Sequence, residues 1–231
     1  MFGFLRKSAV ILSVALITAF AAGCSDDDDG KNGNGDDAPQ DVLEVTGEIV
    51  DYDGDGGEIW ERAGLHDVAE GSGGADGSLS FTLTMTSGIA EEELDPPATS
   101  SSDGFTGLVC MGEFLEDIEE ARFLSVHNLN YTPEGGADSD AGTLELSTDT
   151  EGTLGSVMHP FPKPGHVYGV WLYTTESMTL QETCDQGEID VDLQAGWNEV
   201  LIDTTEAFDE YTQWTGERPG DVDWRLVFRG D

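Results

Sequence analysis

From residue 42 onward the chain alternates apolar and polar positions at period two, the signature of half-buried strands. Leu43-Glu44-Val45-Thr46-Gly47-Glu48-Ile49-Val50 predicts a first strand with Leu43, Val45 and Ile49 toward one face. Glu58-Ile59-Trp60-Glu61-Arg62 predicts a second. After the Gly-rich stretch GSGGADG, Ser78–Met85 gives the cleanest alternation, with Leu79, Phe81, Leu83 and Met85 opposite Ser and Thr. Further strands are predicted at Phe123–Tyr131, Thr143–Ser147, His166–Tyr173, Met178–Glu182, Glu188–Leu193, Asn198–Asp203 and Val222–Phe228. His166–Tyr173 is apolar on both faces, Val167, Trp171 and Tyr173 against Tyr168, Val170 and Leu172. Such a strand belongs in the middle of a sheet covered on both sides.

The connections read as turns and loops. DYDGDGG at 51–57 has the Asp and Gly content of a hairpin turn. Residues 87–104, with EEE, Pro96-Pro97 and SSSDG, predict a long exposed loop. Phe114, Leu115, Ile118 and Ala121 share one face of a short helix over Glu113–Ala121. The expected class is all-β: a β-sandwich of about ten short, mostly antiparallel strands with at most one short helix. Residues 42–231 make up this domain, and 42–86 is either part of it or a separate small module. VTGEIVDY followed by DGSLSFTL is similar to transthyretin-like or carboxypeptidase-regulatory-like modules over under fifty residues. QAGWNEVLI and GDVDWRLVF resemble strands of uncharacterised exported bacterial lipoproteins.

The N-terminus follows a different rule. Arg6 and Lys7 precede an apolar run over Ser8–Phe20, then Ala21, Ala22, Gly23 and Cys24. A charged start, a short apolar run and small residues before a cut site predict a secretory signal. Residues 8–23 fall short of the ~20 apolar residues that a spanning helix needs. Ala21-Ala22-Gly23-Cys24 resembles the lipobox of bacterial lipoproteins, with Ala21 in place of the usual Leu. The resemblance implies cleavage after residue 23 and a diacylglyceryl thioether plus an N-acyl chain on Cys24. More than one chain gives a stable hold, where one gives only a marginal one. Residues 24–41 are then the lipidated Cys and a flexible, self-repelling acidic tether, since SDDDDGKNGNGDDAPQD has nothing to bury. Ser25, rather than Asp, follows Cys24. In the enteric sorting pattern this resembles, that residue implies the outer membrane where the organism has one.

Charge narrows the function classes. The 231 residues carry 48 acids against 9 bases, a net charge of -39. Such a chain repels nucleic-acid phosphates and anionic headgroups, so no nucleic-acid partner is expected. The excess suits a surface in concentrated salt, where screening removes self-repulsion, or capture of divalent ions. With Cys24 lipidated, Cys110 and Cys184 remain as a pair, and export predicts a disulfide between them; two buried free thiols are the alternative.

Catalytic motifs are missing. The chain has no G-x-S-x-G, H-E-x-x-H, phosphate-loop or dinucleotide-binding pattern. His66, His127, His159 and His166 lack zinc-ligand spacing, though His159 and His166 flank a rigid proline-rich stretch. The best ion candidate is Asp51-Tyr52-Asp53-Gly54-Asp55-Gly56, which matches the opening of an EF-hand-like calcium loop. The twelfth position holds Arg62 where a bidentate Glu belongs. The expectation is therefore a non-catalytic, membrane-anchored extracytoplasmic lipoprotein with an envelope structural or interaction role. It requires no cofactor, with calcium at Asp51, Asp53 and Asp55 as the candidate. Its expected partners are the membrane, through the lipid, and an envelope protein or polysaccharide. Carbohydrate or calcium binding is the alternative, with Trp60, Trp197, Trp214 and Trp224 available as an aromatic platform.

Overall fold

The computed structural model describes residues 40–52, 54–85, 89, 94, 120–136, 141–149, 165–184, 187–204 and 211–228; for Glu182, Cys184, Tyr211 and Phe228 it describes the backbone alone. Thirteen strands lie within one unit, Asp37–Asp231. They are β1 (Val42–Glu48), β2 (Gly57–Ala63), β3 (His66–Gly73), β4 (Ser78–Thr84), β5 (Phe123–Val126), β6 (Leu129–Pro133) and β7 (Gly142–Ser147). The rest are β8 (Val167–Thr174), β9 (Met178–Cys184), β10 (Gly187–Leu193), β11 (Gly196–Asp203), β12 (Tyr211–Trp214) and β13 (Asp223–Phe228). No helix occurs among the described residues, and residues 113–119 of the expected helix lie outside them.

Hydrogen bonding joins the strands in the order β1-β4-β3-β2-β6-β7-β8-β11-β12-β10-β9, with β13 beside β7 and β5 beside β8. β10 and β12 run parallel, which makes the sheet mixed. β1 and β2 are not neighbours, because β4 and β3 stand between them. The DYDGDGG segment is therefore a crossover and not a hairpin turn. β2 pairs with both β3 and β6, so residues 42–86 share a sheet with the strands that follow.

Alternation decides the packing. On β4, Leu79, Phe81 and Leu83 are buried and Ser78 and Ser80 exposed, as period two requires. Each such buried side chain contributes roughly 1.5–3 kcal/mol. These residues join Val45, Ile59, Tyr131, Leu144, Leu146, Trp171 and Trp224 in a first core. At its centre Trp171 stacks on Trp224 at 5.1 Å and 7°, and Phe81 meets them edge-on at 5.7 and 5.5 Å. A second core gathers Phe123, Val170, Leu172, Ile189, Val191, Leu193, Val200 and Ile202. β8 contributes Trp171 and Tyr173 to the first core and Val170 and Leu172 to the second. It is the doubly covered central strand that its two apolar faces predict.

The N-terminal strand is clamped at both ends. Before β1, the Gln40 N–H donates to the Ala195 carbonyl (3.0 Å), and the Trp197 N–H donates back to the Gln40 carbonyl (3.1 Å). After β1, the Val50 N–H donates to the Trp224 carbonyl at 2.9 Å. Between the clamps, all seven residues of β1 pair antiparallel with β4.

Candidate functional site

Asp51 and Asp55 of the expected calcium loop are exposed, and Asp53 lies outside the described residues. The described part of the loop is organised by Tyr52. Its hydroxyl lies 2.5 Å from the Tyr131 hydroxyl and accepts the Gly56 N–H at 2.8 Å. Burial, reinforced by Tyr52, holds the Tyr131 phenol well above its ordinary pKa. Asp51 adopts φ 55 and Gly56 φ 92, so the chain turns left-handed on both sides of the aromatic strut. No group of three His, Cys, Asp or Glu gathers at one point among the described residues. Nothing in the sequence marks this strut except a tyrosine standing among Asp and Gly.

The other sequence candidates separate. Cys24, Cys110 and His159 lie outside the described residues, and Cys184 ends β9 opposite Gly187. His127 contacts the Ser125 hydroxyl at 3.2 Å, and His166 lies edge-on to Tyr168 with centroids 6.2 Å apart. The aromatic platform is narrower than the sequence suggests. Trp197 and Trp224 are buried, because their strands turn them into the first core, and only Trp60 and Trp214 are half-buried. Register places Trp60 in a row with Glu44, Thr82, Glu70 and Asn130 on the outer face of the β1-β4-β3-β2-β6 sheet. The adjacent row holds Thr46, Ser80, Ser72, Glu58 and Thr132. The Trp60 indole N–H donates to the Thr132 hydroxyl at 3.2 Å, and the Arg62 guanidinium stands 5.6 Å above the ring.

A cleft of about 690 Å3 opens beside the start of β1, lined by Met85, Ile89, Leu94, Arg122, Tyr173 and Glu176 among others. The Tyr173 hydroxyl donates to Asp41 Oδ1 at 3.0 Å. Burial first, and this bond second, push its pKa up to about 12. The phenol is therefore a hydrogen-bond donor at neutral pH and not a base. Arg122 Nη1 donates to the Ala121 carbonyl at 2.8 Å.

The charged groups divide unequally. Every described arginine is engaged within the domain: Arg62 with Asp67, Arg122 with carbonyls, Arg218 bidentate on Glu199 at 3.0 and 2.7 Å, and Arg225 with Ser147 and Asp223. By contrast, Glu188, Asp190 and Asp192 form an exposed row at alternate positions of β10. Beside them on β9 stand Thr183, Gln181 and Thr179. Gln181 Nε2 donates to Asp190 Oδ1 at 2.7 Å and Thr179 Oγ1 to Asp192 Oδ1 at 2.9 Å. Compared with known proteins, the chain matches no family model, no curated protein and no solved structure.

Proposed function

We propose that this chain is a non-catalytic, lipid-anchored domain displayed on the extracytoplasmic side of a membrane, with an envelope structural or interaction role. The charged start, the apolar run and the small residues before Cys24 support export and lipidation, and the acidic segment that follows would lift the domain from the bilayer. The observation that carries the reading is the clamp on β1. A chain terminus is poorly ordered unless it is tied down, and among the described residues pairing is already present at Gln40, inside the last two residues of the acidic segment. A domain held by its N-terminus needs its first strand fixed in this way. Ser25 supports placement at an outer membrane where one exists. Metabolic labelling with an alkynyl fatty acid, comparing the wild type with Cys24→Ala, tests the anchor; equal labelling refutes it.

A second reading, recognition of an envelope polysaccharide, is favoured by Trp60, a half-buried indole set among Ser, Thr and Glu on a sheet face. Sugars stack on such rings while neighbouring hydroxyls and carboxylates take their hydroxyl groups. Affinity electrophoresis in native envelope polysaccharide should show retardation of the wild type and its loss in Trp60→Ala. Equal mobility of the two refutes this reading.

A further inference from the structure

β9 terminates the sheet order, and among the described residues it pairs with β10 alone, through seven register positions. β1, at the opposite end of the order, is flanked by bridges at Gln40 and Ile49. Among the described residues one side of β9 thus has no strand against it, and such an edge is a template for an added strand. Natural edges are commonly blunted by Lys, Pro or a bulge. β9 has no Lys or Pro, and its register with β10 runs without a shift. Among its described side chains the exposed ones, Thr179, Gln181 and Thr183, are uncharged, and the strand's one charged residue, Glu182, is acidic.

We propose that this edge accepts an extended basic segment of a partner protein, with Lys or Arg at alternate positions. The reason is the charge one strand further in. Glu188, Asp190 and Asp192 lie directly beside Thr183, Gln181 and Thr179, and their bonds to Gln181 and Thr179 are neutral. An added strand places alternate side chains in that same row, about 10 Å from the carboxylates, two strand spacings. Long cationic side chains reach over the short residues of β9 to that row, their stems covering Thr and Gln and their heads meeting the acids. A second copy of this chain is a poor occupant, because two chains each carrying -39 repel. Backbone pairing supplies the docking, and the row supplies the selection for basic sequence.

This inference gives a partner chemistry to the interaction role proposed above and rests on it, but not on the lipid at Cys24. The test uses the exported chain in detergent, with Cys24→Ala in parallel so that anchoring and docking read out separately. The probe is a synthetic peptide of alternating Lys and Thr, titrated by fluorescence anisotropy, with hydrogen exchange followed over residues 178–184. Binding should protect residues 178–184. It should weaken between 50 mM and 1 M NaCl as the Debye length shrinks to about 3 Å. N-methylation of alternate peptide residues should abolish it. Replacing the row together (Glu188→Gln, Asp190→Asn and Asp192→Asn) should weaken it about tenfold, the combined effect of three exposed ion pairs. Undiminished binding of the N-methylated peptide or of the triple variant overturns the proposal, as does binding without protection at 178–184. Protection that grows with protein concentration in the absence of peptide assigns the edge to a second copy and likewise overturns it.

Discussion

Gly196→Ala is the sharpest probe of the N-terminal clamp. Gly196 adopts φ 108, and a Cβ built there lies 2.4 Å from the Gln40 nitrogen and 2.5 Å from its oxygen. Both contacts are backbone, so no side chain can swing aside. The positive φ costs about 1–3 kcal/mol in strain for a residue with a side chain. Displacing Gln40 also breaks the bonds from Gln40 to Ala195 and from Trp197 to Gln40, at about 0.5–1.5 kcal/mol each. A total near 4 kcal/mol lowers Tm by about 8–16 °C in a domain of this size. Gly216→Ala is the control: its φ is 132, yet nothing lies within 4 Å of its added Cβ. It should cost the strain alone, about 2 kcal/mol, lowering Tm by about 4–8 °C. Thermal melts by circular dichroism compare the two. With residues 25–40 deleted, both substitutions should cost the same, because the clash partner is gone. Equal Tm losses in the intact chain would refute the clamp.

Three further outcomes are expected. Seven of the 48 acids and three of the nine bases precede residue 42, leaving 41 carboxylates against six cations, so Tm should rise steeply with NaCl as screening shortens the Debye length from ~30 Å at 0.01 M to ~3 Å at 1 M; a flat melting curve refutes this, and a calcium excess that survives Asp53→Asn with Asp55→Asn disposes of the loop as an ion site. Alkylation of the denatured, unreduced exported chain should leave Cys110 and Cys184 unlabelled by intact mass, and two labelled thiols would refute the disulfide. The Tyr173 pKa is raised on folding, so its contribution is fully present below the unfolded value near 10 and is lost as pH rises toward about 12; urea titrations should show a smaller stability loss over that window in Tyr173→Phe, and identical pH profiles would contradict the half-buried bond to Asp41.

The strands whose apolar face contacts a core were legible from their alternation. β4 buries Leu79, Phe81 and Leu83, and β10 buries Ile189, Val191 and Leu193, in step with their patterns. β3 was not legible, because Gly71 and Gly73 give it the composition of a loop. Those glycines answer to packing. A Cβ at Gly71 would lie 2.3 Å from the Phe81 Cβ on β4, so the neighbouring aromatic occupies the space that a β3 side chain would need. β12 is too short to show a period, and it depends on β11 and β10 on either side. The segment Phe123–Tyr131 reads as one strand but divides at His127–Asn128, where β5 leaves β8 and β6 takes up β2 and β7. Partner exchange is a long-range event that periodicity does not record. The same limit hid Tyr52 against Tyr131, 79 residues apart in the chain.

The clamp at Gln40 also decides how the domain bears mechanical load. If Cys24 carries the proposed lipid, tension on it passes through residues 25–39, at most about 50 Å of chain, and reaches the described residues at Gln40. From there it runs along the axis of β1. The seven β1–β4 pairs are then sheared together, sharing the force, whereas a transverse pull would peel them one at a time. Sliding β1 out of register would also tear the Val50–Trp224 bond at the far end of the strand. A pull applied at Gln40 along β1 therefore meets the stiff direction of the sheet. β13 shares that brace: besides its six pairs with β7, its Trp224 bridges Ile49 and accepts the Val50 N–H, so the load on β1 reaches the C-terminal strand as well.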